Sequence, residues 1–265
     1  MSATCPQCGG SGVLVSAGRD TARAERCACQ GVCAACQGTG FQVEERNGRR
    51  FRGACPVCHN LDRRLTLFNA ARIPRRFAGK SLAGFDAKTG EQRTVKMITR
   101  EVSDTLCRGA EGLLLAGPPG VGKTHLLVAL LTQATLQLGL DAVFVDFFAL
   151  LSDLRTAFGR GQSEGDLLDP ILAHSLIGID ELGKGKNTEW EASVLDQLIS
   201  RAYNTERTLL VTTNYLPAQR HASVQRRLDE TLEARVGDRV ASRLYEMCRV
   251  LVIDGDDQRQ RRKKL

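Results

Sequence analysis

Long apolar runs are missing from this sequence. The longest stretches, such as residues 126–131, fall far below the roughly 20 residues a helix needs to span a bilayer, so no membrane-spanning helix is expected. An apolar leader is missing too: the first residues bring Cys5 and Cys8 where a signal peptide would carry its hydrophobic stretch, and the chain is expected in the cytoplasm. Nor is the composition that of a disordered or fibrous protein, because hydrophobic residues make up 42% and charged residues 25%, a globular balance. In a reducing compartment ten cysteines are not expected to form disulfides, so their spacing requires another cause. The formal net charge of +7 favours an anionic partner such as nucleic acid without specifying one.

Eight of the ten cysteines fall before residue 60, and they repeat. Cys5-Pro-Gln-Cys8-Gly-Gly-Ser-Gly12 returns 28 residues later as Cys33-Ala-Ala-Cys36-Gln-Gly-Thr-Gly40. Cys27 and Cys29 complete the first set, Cys55 and Cys58 the second. Self-similarity of this kind signals two copies of one structural unit. Two cysteines separated by two residues can present both thiolates to one tetrahedral ion. Asn47-Gly48, between the cysteine pairs of the second copy, is a hairpin signal. Each copy therefore reads as a zinc ribbon, a hairpin clamped at its open end by four thiolates, with Zn²⁺ supplying folding free energy that so small a unit cannot draw from a core. Two ions are expected. The second set has standard two-plus-two spacing, whereas Cys27-Ala-Cys29 is one residue short. His59 is either a further ligand or a surface residue, and Cys107 and Cys248 read as small core hydrophobes. The cysteine-glycine signature also resembles the zinc region of DnaJ-type chaperones. There ligands pair between distant motifs, whereas the 28-residue repeat favours pairing within each copy.

Three regions follow: residues 1–62 as the duplicated zinc-ribbon module, 63–108 as linker and docking helix, and 109–265 as the main domain. The linker carries Arg72-Ile-Pro-Arg-Arg-Phe77, a basic stretch broken by proline, and a helix is expected over residues 90–108.

Residues 112–116 form an apolar run of strand type that feeds into Gly117-Pro118-Pro119-Gly120-Val121-Gly122-Lys123-Thr124, with a helix beginning at His125. This is a phosphate loop in its required strand-loop-helix context, and it implies bound ATP. Its glycines let backbone N–H groups converge on the phosphates. Lys123 reaches the β- and γ-phosphates, and the Thr124 hydroxyl coordinates Mg²⁺. Further strands are expected at residues 142–147, 175–180, 208–214 and 249–253, separated by helices. The expected fold is α/β, a five-stranded parallel sheet with helices on both faces. The strand ending at Asp180-Glu181 supplies an acid pair: Asp180 for Mg²⁺, Glu181 to deprotonate the attacking water. Asn214 either positions that water or caps a loop. Arg239 and Arg243, four apart on one helix face, offer an arginine finger or a surface ion pair. Arg155 and Arg160 line a DNA channel or an exposed helix face.

In combination, Ile73-Pro74-Arg-Arg-Phe77 before Phe85-Asp86, the phosphate loop, Ile179-Asp180-Glu181-Leu182-Gly183, Trp190-Glu191, Thr213-Asn214 and Gly237-Asp-Arg239-Val-Ala-Ser-Arg243-Leu resemble the AAA+ ATPases of the DnaC/DnaI helicase-loader and IstB transposition-helper group. The resemblance spans residues 70–259. It implies an AAA+ core, with Asn214 as polar sensor, Arg243 as the finger and Arg259 as a second sensor. It also implies a weak ATPase, working as an ATP-dependent homo-oligomer on single-stranded DNA and on a replicative helicase or transposase. The zinc module is then the part expected to grip that client. Two departures stand out. Eleven residues after Asp254 are too few for the helical lid of a typical AAA+ protein, so no full lid domain is expected, although a short C-terminus suits the loader group. The N-terminal module is unlike the helical one of DnaC and closer in kind to the zinc-containing one of DnaI, although doubled.

Overall fold

The computed structural model describes residues 5–46, 48–218 and 230–257. Two antiparallel hairpins come first: β1 (Val13–Ala17) with β2 (Ala22–Arg26), and β3 (Phe41–Arg46) with β4 (Arg49–Ala54). Asn47 of the expected Asn-Gly turn lies outside the described residues. The segment expected to begin a linker is instead a helix, α1 (Leu61–Ala70), and the boundary set at residues 62 and 63 falls in its first turn. Leu61, Leu65 and Phe68 recur on one face and are buried, the helical period that a basic composition conceals. The basic residues serve the packing. Arg63 and Arg64 donate to Gly139 O and Leu136 O, both at 2.6 Å, satisfying carbonyls at and just beyond the end of the next helix but one.

Before the main domain comes the docking helix, α2 (Gly90–Thr105), capped by Thr89, whose hydroxyl accepts from Gln92 N. Strands β5 (Gly112–Ala116), β6 (Ala142–Asp146), β7 (Leu176–Leu182), β8 (Thr208–Thr213) and β9 (Cys248–Val252) form one sheet in the order β6-β7-β8-β5-β9. Every pairing in it is parallel. The connections run through α3 (Lys123–Leu136), α4 (Phe147–Phe158), α5 (Glu164–Leu172), α6 (Glu189–Asn204), and then α7 (Leu232–Val236) and α8 (Asp238–Met247). Two cores result. One, against α2 and α3, also takes in α1 and the first hairpin; the other lies against α4, α5, α6 and α8. The five-stranded parallel sheet with helices on both faces is as expected, and no helix among the described residues is long and apolar enough to cross a membrane.

Several boundaries shift for local reasons. Phe147 opens α4 rather than closing β6, because the Asp146 carboxylate accepts from Ala149 N at 3.0 Å and starts the helix. Helix α3 begins at Lys123, two residues before the expected start, and ends at Leu136, leaving Leu138 exposed. Strand β7 runs past Asp180 to Leu182 through a register shift against β8. Cys248 is buried as expected, but Cys107 is exposed, set in the turn between α2 and β5, where its carbonyl accepts from the Thr208 hydroxyl at 2.6 Å. Arg259 and the basic tail lie outside the described residues.

Candidate functional site

Because all five strands are parallel, their carboxyl ends open on the same edge, and the polar residues that the sequence singles out collect there. The loop at residues 117–124 joins β5 to the N-terminus of α3, whose dipole and converging N–H groups favour an anion. The backbone makes the glycines obligatory. Gly120 has φ 84°, and a Cβ there would lie 2.0 Å from Asp257 Oδ1; at Gly117 a Cβ would meet Ile253 O at 2.1 Å. The chain emerging from β9 thus runs directly along the loop. Val121 is buried beneath it, and Pro118 and Pro119 shape its outer limb.

Lys123 is itself buried, and its ammonium donates to Gly117 O at 2.7 Å, to Pro118 O at 2.8 Å and to Asn214 Oδ1 at 2.8 Å. Asn214 stands one residue beyond β8, so its position follows from the strand order that places β8 beside β5. The Thr124 hydroxyl donates to Asp180 Oδ1 at 2.9 Å, and Thr212 donates to the same oxygen at 2.6 Å. Asp180 is 2% exposed, and burial pushes its carboxyl above the usual range, against the two hydroxyl donors that lower it. A buried carboxylate paired with a threonine hydroxyl is a hard oxygen set of the kind Mg²⁺ takes, and it fits that ion.

Glu181 has φ 57°, a left-handed conformation uncommon for a residue with a side chain. It sits in the irregularity of β7, where its N–H donates to the Thr212 hydroxyl at 3.0 Å. A bulge of this sort re-aims a side chain out of the strand's alternation, and here the carboxylate turns out to an ion pair with Lys184. Thr212 therefore holds both acids at once. Thr212 and Lys184 were not singled out from the sequence; the signal was their place beside Thr213-Asn214 and just after the acid pair. Phe85 covers the loop, with its ring against Gly122 and edge-on to His125, whose Nε2 lies 2.9 Å from Ser81 O.

The arginines lie apart from this cluster. Arg243 donates to Ser200 Oγ at 2.8 Å and to Asp196 Oδ1 at 3.1 Å, and Arg239 reaches the same carboxylate at 3.6 Å, so both engage α6 of their own chain. Arg155 pairs with the buried carboxylate of Glu191 and lies 5.1 Å from the Trp190 ring centroid. Arg155 and Trp190, with Phe158, Lys186 and Thr188, line an open cleft of about 640 Å³. Arg160 is exposed in the turn after α4.

The eight cysteines gather in two sets within their own copies: Cys5, Cys8, Cys27 and Cys29, and Cys33, Cys36, Cys55 and Cys58. Sulfur separations are 3.8 Å for Cys5–Cys27, 3.5 Å for Cys8–Cys29, 3.8 Å for Cys33–Cys55 and 3.7 Å for Cys36–Cys58, and all four sulfurs of each set lie within 4.8 Å of one another. Sulfurs on a tetrahedral zinc with bonds near 2.3 Å stand about 3.8 Å apart, so both sets fit such an ion, the short Cys27-Ala-Cys29 spacing included. Burial tends to raise the Cys8 and Cys36 thiols. The N–H groups of Gly12 and Gly40, donating to their sulfurs at 3.3 and 3.2 Å, help bring each down to about 6. His59 is outside both sets.

Comparison with known proteins matches residues 59–265 to the family described as IstB-like ATP binding protein. Among curated proteins the chain is 31% identical over 172 residues to an ATP-binding protein of insertion sequence IS21 from Pseudomonas aeruginosa, covering 64% of this chain and 58% of that protein. It is 28% identical over 102 residues to the replicative helicase loader DnaC of Escherichia coli strain K12, covering 38% and 41%. Among solved structures, the DnaC helicase loader superposes with a TM-score of 0.59 at 28% identity, covering 68% of this chain and 99% of that one. The chain spans about half the length of the curated relatives it matches. These matches bear out the expected likeness to the DnaC and IstB group and the AAA+ fold.

Proposed function

The chain belongs to the IstB-like ATP-binding protein family, and from that premise we propose that it is an ATP-hydrolysing loader which binds single-stranded DNA and delivers a replicative helicase to it. The observation that carries this reading is the wiring of the nucleotide edge: Lys123 to Asn214, Thr124 to Asp180, and Thr212 to both acids. On nucleotide entry, phosphate oxygens replace Gly117 O and Pro118 O as acceptors for the Lys123 ammonium, while the N–H groups at the start of α3 close on the β-phosphate. Thr124 and Asp180 would hold Mg²⁺, which when bound neutralises charge on the β- and γ-phosphates. Glu181, released from Lys184, takes a proton from the attacking water; a bond forms from that water to the γ-phosphorus, and ADP leaves with the bridging oxygen. Asn214 orients the water. Arg243, exchanged from Asp196 to a neighbouring subunit's nucleotide in an ATP-dependent homo-oligomer, acts as the finger, with Arg239 flanking it.

The cleft at Arg155, Phe158, Lys186 and Trp190 combines cations with aromatic faces, the pairing that tracks a single-stranded backbone while stacking its bases. Lys186 of this cleft lies in the segment after β7 that also carries Lys184, the ion-pair partner of Glu181. Each cysteine set holds one Zn²⁺, and the zinc module carries the client. The setting is cytoplasmic.

The match to an IS21 protein over a longer stretch than to DnaC favours a second reading, helper to a transposase. Hydrolysis measured with single-stranded DNA, duplex DNA, the source organism's helicase and any transposase encoded beside the gene separates the two. A loader is stimulated by single strands and helicase; stimulation by duplex and transposase alone selects the helper, and no response to any of them removes both.

A further inference from the structure

The two ribbons share a pattern and a 28-residue offset, yet they meet the rest of the chain in opposite ways. The first is absorbed into the main core. Ala22 and Ala24 are buried, and Val13 and Val15 pack against the same cluster. Asn69 of α1 binds Ala24 through both its amide atoms, accepting at 2.8 Å and donating at 3.0 Å. Ala22 N donates to Ile73 O at 2.7 Å and Arg75 N to Asp20 O at 3.1 Å, so the hairpin is stitched to the segment leading into the ATP-binding domain.

Adding 28 to each position shows what the second copy has exchanged. Ala22 and Ala24 become Arg50 and Arg52, Arg23 becomes Phe51, and half-buried Val15 becomes Val43. Small residues let the first hairpin lie flat on α1; arginines at the same places forbid that docking. The second hairpin therefore stands out, meeting the chain at its metal-bearing end. There Gly40 abuts Asn60, the residue that caps α1, and Arg64 donates to Cys58 O at 3.3 Å. Its large apolar side chains are left in solvent: Val43 is 66% exposed, Phe51 50%, and Val32 and Val57 beside the cysteines 78% and 67%. Val43 and Arg52 are cross-strand partners on one face and Phe51 lies on the other, with Arg49 and Arg50 exposed beside them.

We infer that the duplication has divided the labour: the first ribbon is a structural clasp, and the second is a docking finger that inserts into an apolar surface bearing carboxylates on the client protein. Exposed valines on and around a basic hairpin select a protein over a nucleic acid, for which aliphatic side chains offer no stacking, and the exposed arginines select an acidic one. A two-stranded hairpin is marginal alone, so the metal set at its base is what holds the finger upright. The inference rests on the loader reading for the identity of the client.

The test uses the full chain, zinc-loaded, against the purified replicative helicase of the source organism, with a labelled single-stranded oligonucleotide in parallel. Three double variants are compared: Val43→Asp with Phe51→Asp, Arg50→Glu with Arg52→Glu, and, on the first hairpin, the exposed pair Ser16→Asp with Arg23→Glu. Both second-hairpin variants should weaken helicase affinity about tenfold or more while retaining two zinc ions and wild-type oligonucleotide binding. The loss from the charge reversal should shrink at high salt, and the first-hairpin variant should match wild type. Undiminished helicase binding by both second-hairpin variants, or a loss confined to the oligonucleotide, overturns the inference and leaves the loader reading standing. Wild-type chain that fails to bind helicase removes the loader reading, and the inference with it.

Discussion

Lys123 and Asn214 stand 91 residues apart in the chain and meet at 2.8 Å, ammonium to amide oxygen, across two adjacent parallel strands. That contact makes Asn214 part of the phosphate site rather than only a loop cap. Asn214→Ala should lower the hydrolysis rate by about tenfold, a charged hydrogen bond's worth, with thermal stability close to wild type. A residue that only capped the loop would give the reverse, a lower Tm and an unchanged turnover.

Glu181→Gln should preserve nucleotide binding and reduce turnover by about 100-fold or more, the range of a general base. Its left-handed backbone and its N–H bond to Thr212 survive the change, so what is lost is the proton acceptor and the exposed charge pair with Lys184. An unchanged rate would mean that this carboxylate is not catalytic; a zinc adaptor that uses ATP only for structure would show no drop, whereas the loader requires a large one.

Asp180 gives a prediction with two signs. Burial raises its carboxyl, so the unliganded folded state disfavours the ionised form. The contribution of this carboxyl to stability is fully present below the unfolded carboxylate range and is lost as pH rises through the folded value. Asparagine can still accept from Thr124 and Thr212 without the charge. Asp180→Asn should therefore raise the Tm of the unliganded chain at neutral pH by roughly 2–4 °C, the shift that about 1 kcal/mol produces in a domain of this size. It should also abolish Mg²⁺-dependent binding of ATP. A lower Tm would show that the carboxylate is not destabilising.

The zinc sets predict two ions per chain by metal analysis, one after Cys33→Ser and one after Cys5→Ser. Four sulfurs fit a tetrahedral ion in either copy, so a single ion in wild type would mean that the Cys27-Ala-Cys29 geometry fails. None would overturn the ribbon assignment.

How much of this was legible depended on whether a feature is written in residue order or in torsion angles. Residues 117–124 announce themselves because glycine spacing, a preceding apolar strand and a following helix coincide, and the 28-residue repeat announces the ribbons in the same way. Helix α1 was hidden by the basic, proline-broken stretch at residues 72–77, which makes the whole segment read as linker, although Leu61, Leu65 and Phe68 carry the helical period. The bulge at Glu181 could not be read, since residue order states neither the register shift by which β7 rejoins β8 at Leu182 nor the positive φ that marks the turn outward. Arg243 was legible as a residue of interest, but its engagement of Asp196 depends on how α8 packs on α6, which residue order does not state.

The most direct test of the whole account is titration of Mg·ATP into the wild-type chain and into Lys123→Ala. Removing the ammonium that Gly117 O, Pro118 O and Asn214 hold in place should weaken affinity by about 10- to 100-fold, the loss of a charged hydrogen bond to phosphate. Equal affinity in the two proteins would contradict the nucleotide site, and the loader built on it.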